Sequence, residues 1–180
     1  SWEELADTLQ QFKVPSIPEG GTVDDAKRLV GLWSPVQYQP DTMRGNANVA
    51  KIFAFVMDFD EGFAWDDLVS TWQEAGHEFV IHTTISHTAE TPKWRAIFPL
   101  AFPVEATDWP RVWEKLNWNL SYGAAKADGA CKDAARMYYW PSHVPGAPHH
   151  AQHVPGKPLV PSALPDPPKE ERAAYGPKET

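Results

Sequence analysis

The stretch FVMDFDEG, residues 55–62, limits the possible folds more than any other part of the chain. Ile52, Phe53, Phe55, Val56 and Met57 form a near-continuous apolar run, the pattern of a central strand covered on both faces. The run ends in Asp58 and Asp60. A carboxylate is costly to take out of water unless something pairs with it. Alternate residues of a strand project to the same side, so these two converge where the strand ends. Either the strand meets solvent at Asp58 or a cation is held there. Paired carboxylates suit a hard divalent ion such as Mg²⁺ or Mn²⁺. Two such ions are the usual apparatus for in-line displacement at phosphorus. An acidic turn leaving a strand would look the same.

The rest of the chain supplies partners for that strand. Residues 2–12 have helical spacing behind Ser1 as N-cap, and VPSIPEGG breaks them. Thr22 caps a second expected helix, VDDAKRLV, with Gly31 after it. WSPVQYQPDTMRGNANV reads as loop. AWDDLVSTWQEAG carries an apolar helical stripe closed by Gly76. HEFVIHTTISHT and KWRAIFPLAFPV are strand-like and predict a hairpin across Pro92. TDWPRVWEKLNWNLSYGAA is the longest helical pattern, with Thr107 or Asp108 as cap and Pro110 in its first turn. A short loop, DGACKDA, leads to a last strand, RMYYW. The order ααβαββαβ predicts an α+β domain with helices on a largely antiparallel or mixed sheet. Past Trp140 the chain turns to Pro and His and then charge, which places a boundary near residue 143. The expectation is a domain over 1–143 and a Pro-rich linker or tail over 144–180.

The 180 residues, 42% hydrophobic with nine Trp, suffice for one aromatic-rich core. Cys131 is the single cysteine, so no intrachain disulfide forms. No apolar run reaches membrane-spanning length and no signal peptide opens the chain, which begins at Ser1. These features predict a soluble, cytoplasmic domain, excised from something longer. A net charge of −8 argues against a general nucleic-acid coat protein. It leaves room for a local grip, because Lys93, Arg95, Arg111, Lys115, Lys126, Lys132 and Arg136 gather in one region.

Four other groups bear on chemistry. His82 and His87 are an odd distance apart, so an unbroken strand would send them to opposite faces. Lys93 and Arg95 share a strand face and with Arg136 suit phosphate, although a solvated face explains Lys93 equally well. Arg95 lies within an apolar run and needs an anionic partner. Asp133 precedes the last strand, as a third carboxylate or as a turn cap. His149, His150 and His153 are clustered, but among Pro and Gly they lack a scaffold to orient them on a metal.

Taken together, the apolar run with DFDEG, then TTISHTAETPKWRAIFPL, then CKDAARMYYWPS resembles the archaeo-eukaryotic primase superfamily, and within it the primase-polymerase domains of phage and plasmid replication proteins. The resemblance covers residues 44–142. It implies a primase-like palm, a central mixed or antiparallel sheet flanked by helices. It further implies that Asp58, Asp60 and Asp133 bind catalytic Mg²⁺ or Mn²⁺ and that His87 contacts nucleotide phosphates. It makes Arg95 and Arg136, with Lys93, phosphate contacts. The family's second motif has a serine two residues before its histidine, where this chain has Ile85, with Ser86 beside His87. The implied activity is nucleotidyl transfer: a DNA primase or polymerase using nucleoside triphosphates on single-stranded DNA, with a helicase downstream. Two alternatives are a non-catalytic origin- or partner-binding module and a metal-dependent nicking initiator. The latter would need two metal-binding histidines on one strand, where the His82/His87 spacing is wrong for one face, and a nucleophilic tyrosine, whereas Tyr138 and Tyr139 sit in an apolar run that looks buried.

Overall fold

A computed structural model describes residues 1–17, 19–60, 65–122 and 127–168. Glu61, Gly62, Lys126 and the charged end of the expected tail lie outside the described residues. Helices α1 (Trp2–Thr8) and α2 (Val23–Lys27) come first, then strands β1 (Leu32–Trp33), β2 (Val36–Tyr38) and β3 (Val49–Phe59). Next come α3 (Asp66–Glu74), β4 (Phe79–Thr83), β5 (Trp94–Glu105) and α4 (Trp109–Ser121). Strands β6 (Tyr138–Tyr139) and β7 (Ala151–Val154) follow. The main sheet has the order β2-β3-β5-β4-β7, and all four of its ladders are antiparallel. This is the expected α+β class, with the sheet antiparallel throughout.

The apolar run is the second strand of that sheet, and its register sets everything near the site. Directly opposed residues of an antiparallel pair lie on one face. Asp58 faces Arg95, and Arg95 faces His82 on its other side, giving a polar row across β3, β5 and β4. One residue along, Phe59, Trp94 and Thr83 form a row on the opposite face. There Phe59 stacks on Trp94 with centroids 4.0 Å apart. Trp72 of α3 meets Trp94, Phe79 and Phe98, and Trp109 and Trp113 of α4 meet Phe55. The aromatic side therefore holds α3 and α4. The Trp72 indole N–H donates to the carbonyl of Leu120, 2.9 Å away, locking the two helices together. The small antiparallel sheet β1–β6 covers the polar side, where the Arg95 guanidinium lies over the Tyr138 ring at 4.7 Å.

The caps follow the residues expected of them. Ser1 and Thr22 each close a capping box, with Glu4 and with Asp25. Gly76 takes φ +74° just past α3, a conformation that costs glycine nothing. Both N-terminal helices are shorter than their patterns, ending at Thr8 and Lys27, and the expected loop after them contains β1 and β2.

The boundary near residue 143 does not hold. Strand β7, from the segment expected as linker, is the edge of the main sheet and pairs with all of Phe79–His82. Beyond it Leu159 is buried, its N–H donating to Pro99 O and its carbonyl accepting from Ala101 N–H. Gly156 passes so close to His77 that a Cβ there would lie 2.6 Å from its backbone. Backbone pairing at an edge needs no apolar period, which is why composition hid this strand.

Candidate active site

The polar row opens into a cavity of about 450 Å³ at the end of the sheet. Asp58 and Asp60 both line it, as their spacing implied, but in different states. Asp58 is 6% exposed inside β3, whereas Asp60 lies just past the strand and is exposed. Arg95 answers the Asp58 charge with a two-pronged bond, Nε donating to Oδ1 and Nη2 to Oδ2, the latter at 3.1 Å. Its remaining nitrogen, Nη1, donates to Tyr139 O at 3.0 Å. Burial alone would lower the guanidinium pKa; the adjoining Asp58 carboxylate more than offsets that and raises it. The anionic partner that Arg95 required is thus Asp58.

Other cations reach the cavity from distant parts of the chain. Lys93 and Arg136 line it, as expected, and so do Lys27 of α2 and Arg44 of the β2–β3 connection. Lys93 Nζ is 3.9 Å from Asp60 and Arg136 is 3.5 Å from Asp128. No local signal marks Lys27 or Arg44, because only the tertiary fold brings them to the site. The other basic residues of the cluster go elsewhere: Lys115 pairs with Asp166, Lys132 with Glu114, and Arg111 lines a separate groove.

The histidine in the cavity is His82 rather than His87. His82 is 1% exposed; its Nδ1–H donates to Thr83 O at 2.8 Å, leaving Nε2 buried without a partner among the described residues. Burial, then the positive charge of Arg95, pushes its pKa down to about 3, so the ring is neutral. The chain leaves the sheet after Thr83, and the loop that follows turns His87 out of the cavity. His87 Nδ1 accepts from Lys93 N–H at 3.1 Å, while Thr84, Ile85 and Ser86 form the cavity wall. The signal for His82 was a titratable residue following directly on the apolar run FVI.

Asp133 does not line the cavity either. It is exposed, and its carboxylate accepts from Ala135 N–H, the turn-cap role. Asp128 lies nearer: its backbone N–H donates to Asp58 O at 2.8 Å, and its side chain caps the 3₁₀ turn Gly129–Lys132. Among the described residues no three His, Cys, Asp or Glu side chains form a metal cluster. A Mg²⁺ bound through one or two carboxylates and completed by substrate phosphates needs no third ligand; exposed Asp60 fits that mode, whereas Asp58 would first have to release an oxygen from Arg95.

Of the two tyrosines weighed for a nicking initiator, Tyr138 is unsuited, while half-buried Tyr139 lines the cavity. Tyr138 is buried beneath Arg95, and burial raises its phenol pKa well above the ordinary value. The three late histidines diverge: His149 stacks on His143, His150 faces Trp65, and His153 bonds to Glu78.

The antiparallel sheet carries α3 and α4 on one face and the carboxylate-bearing, cation-lined cavity on the other. The same fold is found in the AEP domain of the primase-polymerase of cyanophage S-2L, with a TM-score of 0.53 and 17% identity over 79% of this chain and 75% of that one. The chain belongs to the VapE N-terminal domain family, whose model matches residues 24–161, on both sides of residue 143. No curated protein sequence matches it.

Proposed function

We propose that the domain is a nucleotidyltransferase, a DNA primase or primase-polymerase acting on a single-stranded DNA template with nucleoside triphosphates. The observation that carries the reading is the cavity itself, in which Lys27, Arg44, Lys93, Arg95 and Arg136 surround Asp58 and Asp60. Such an excess of cations fits a triphosphate, and the two carboxylates fit the divalent ion that accompanies it. Asp58 and Asp60 would hold Mg²⁺ or Mn²⁺ together with the phosphates. The ion, when bound, supplies charge neutralisation and lowers the pKa of the attacking hydroxyl. Lys93 and Arg136 sit on partly exposed partners and are free to exchange them for phosphate oxygens. Neutral His82 keeps a second positive charge away from Arg95. Asp133 acts at one remove, bracing the turn before β6. The cytoplasm and a downstream helicase are the setting this activity implies.

A second reading has its own observation. Arg95 occupies both oxygens of Asp58, the arrangement of a structural ion pair, which favours a domain that binds nucleotide or DNA without catalysis. A primer-synthesis assay separates the two. Single-stranded template, Mg²⁺ or Mn²⁺ and labelled ribo- and deoxynucleotides are incubated with wild type and with Asp60→Ala. Exposed Asp60 can be removed without disturbing the buried pair. Product that vanishes in the variant supports catalysis, whereas no product from wild type that still binds nucleotide supports the binding module.

A further inference from the structure

The cavity does not end at its own rim. Ile85 and Ser86, which line it, also line a second cleft with His87, Val144 and Pro148. His87 and Pro148 in turn line a third, of about 340 Å³, with Trp65, Trp94 and His150. Shared walls set the three side by side around the β4–β5 loop, the outline of a trench from the polar face of the sheet to its aromatic edge.

The chemistry changes along the trench. Five Lys and Arg side chains line the first chamber; among the described residues none lines the second, which includes Asp24, and none lines the third. The third is walled by flat rings. Half-buried Trp65 stands 4.8 Å from His150 at 57° and 6.2 Å from Trp94 at 70°. Pro92 and Pro148 complete the apolar wall, and Asp66 and His149 lie on it too. Because His87 Nδ1 accepts from Lys93, its Nε2 carries the proton and offers a donor at the junction. A cationic groove continuing into aromatic rings is how proteins hold single strands without reading sequence, since every base has a π-face.

We infer that the Trp65–His150 cleft is a base-stacking site for single-stranded nucleic acid whose backbone runs along Ser86 and His87, beside the cavity that takes the triphosphate. The inference rests on the nucleic-acid reading above and adds to it the position of a base. An extruded base enters beside Trp65, and the backbone follows Ser86 and His87 around the loop.

The test uses fluorescence anisotropy with a labelled oligothymidylate and an abasic strand of equal length, for wild type, Trp65→Ala, Trp65→Phe and His150→Ala. Stacking of one base corresponds to roughly a fivefold to hundredfold gain in affinity. Wild type should prefer the thymidylate by a factor in that range. Trp65→Ala should bind both strands at the abasic level with an unchanged salt slope, and Trp65→Phe should keep most of the preference. His150→Ala, on the opposite wall, should lower it by a smaller factor, so the result does not depend on one variant's folding. Equal thymidylate binding by wild type and Trp65→Ala, or no preference over the abasic strand, overturns the base site while leaving phosphate binding intact. Binding of neither strand by wild type overturns both readings.

Discussion

Asp58 and Phe59 are neighbours on one strand and live in opposite worlds. The Asp58 side of the sheet end is held by a buried ion pair, and the Phe59 side by stacked rings against α3 and α4. The apolar side is stabilised by area removed from water, a tolerant and additive contribution. The polar side depends on exact pairing, because two desolvated charges compensate each other only while both are present. A rigid aromatic floor thus supports a site whose charges are one substitution from imbalance.

The largest effect expected is from removing one charge. Asp58→Ala strands Arg95 and should cost about 3–5 kcal/mol, a fall in Tm of roughly 10 °C at this chain length. The double variant Asp58→Leu/Arg95→Met should recover much of that loss in a thermal melt. A single variant as stable as wild type would erase the contrast between the two faces. On the apolar side Trp94→Phe keeps a ring over Phe59, and chemical denaturation should show a loss of about 2 kcal/mol.

His82 sharpens the comparison through pH. Its folded pKa, about 3, lies below the ordinary value of 6.5. Between those values the unfolded chain binds the extra proton, so this contribution is complete above pH 6.5 and lost as pH falls toward 3. Melts at pH 7 and pH 5 should show wild type losing about 1 kcal/mol per pH unit more than His82→Asn. Lys93→Ala stands at the small end. Its 3.9 Å contact with exposed Asp60 is worth under about 1 kcal/mol. The melt should hardly move, while triphosphate affinity measured by calorimetry should drop severalfold.

The apolar side was the more legible of the two. The run into Asp58, the hairpin to β5 and the Trp stripes of α3 and α4 all carry local periods that the structure keeps. Arg95 was legible for the same reason, since a charge inside an apolar run demands its counter-charge. Lys27 and Arg44 were not, because they belong to unpatterned segments far away in sequence. His87 stood out by resemblance, yet the strand ends four residues earlier and the loop gives the cavity Ser86 instead. Strand β7 escaped notice because a sheet edge recruits backbone, and AQHV satisfies it without any hydrophobic alternation.

After β7 the chain returns along α4. Lys115 Nζ donates to Leu164 O and pairs with Asp166, and Asn119 donates to Pro165 O. This strap lies on the aromatic side of the sheet, behind the cavity. It works as a built-in handle: anchored to a bead or chip by a tether at this strap, the domain should present its open mouth to the surrounding solution.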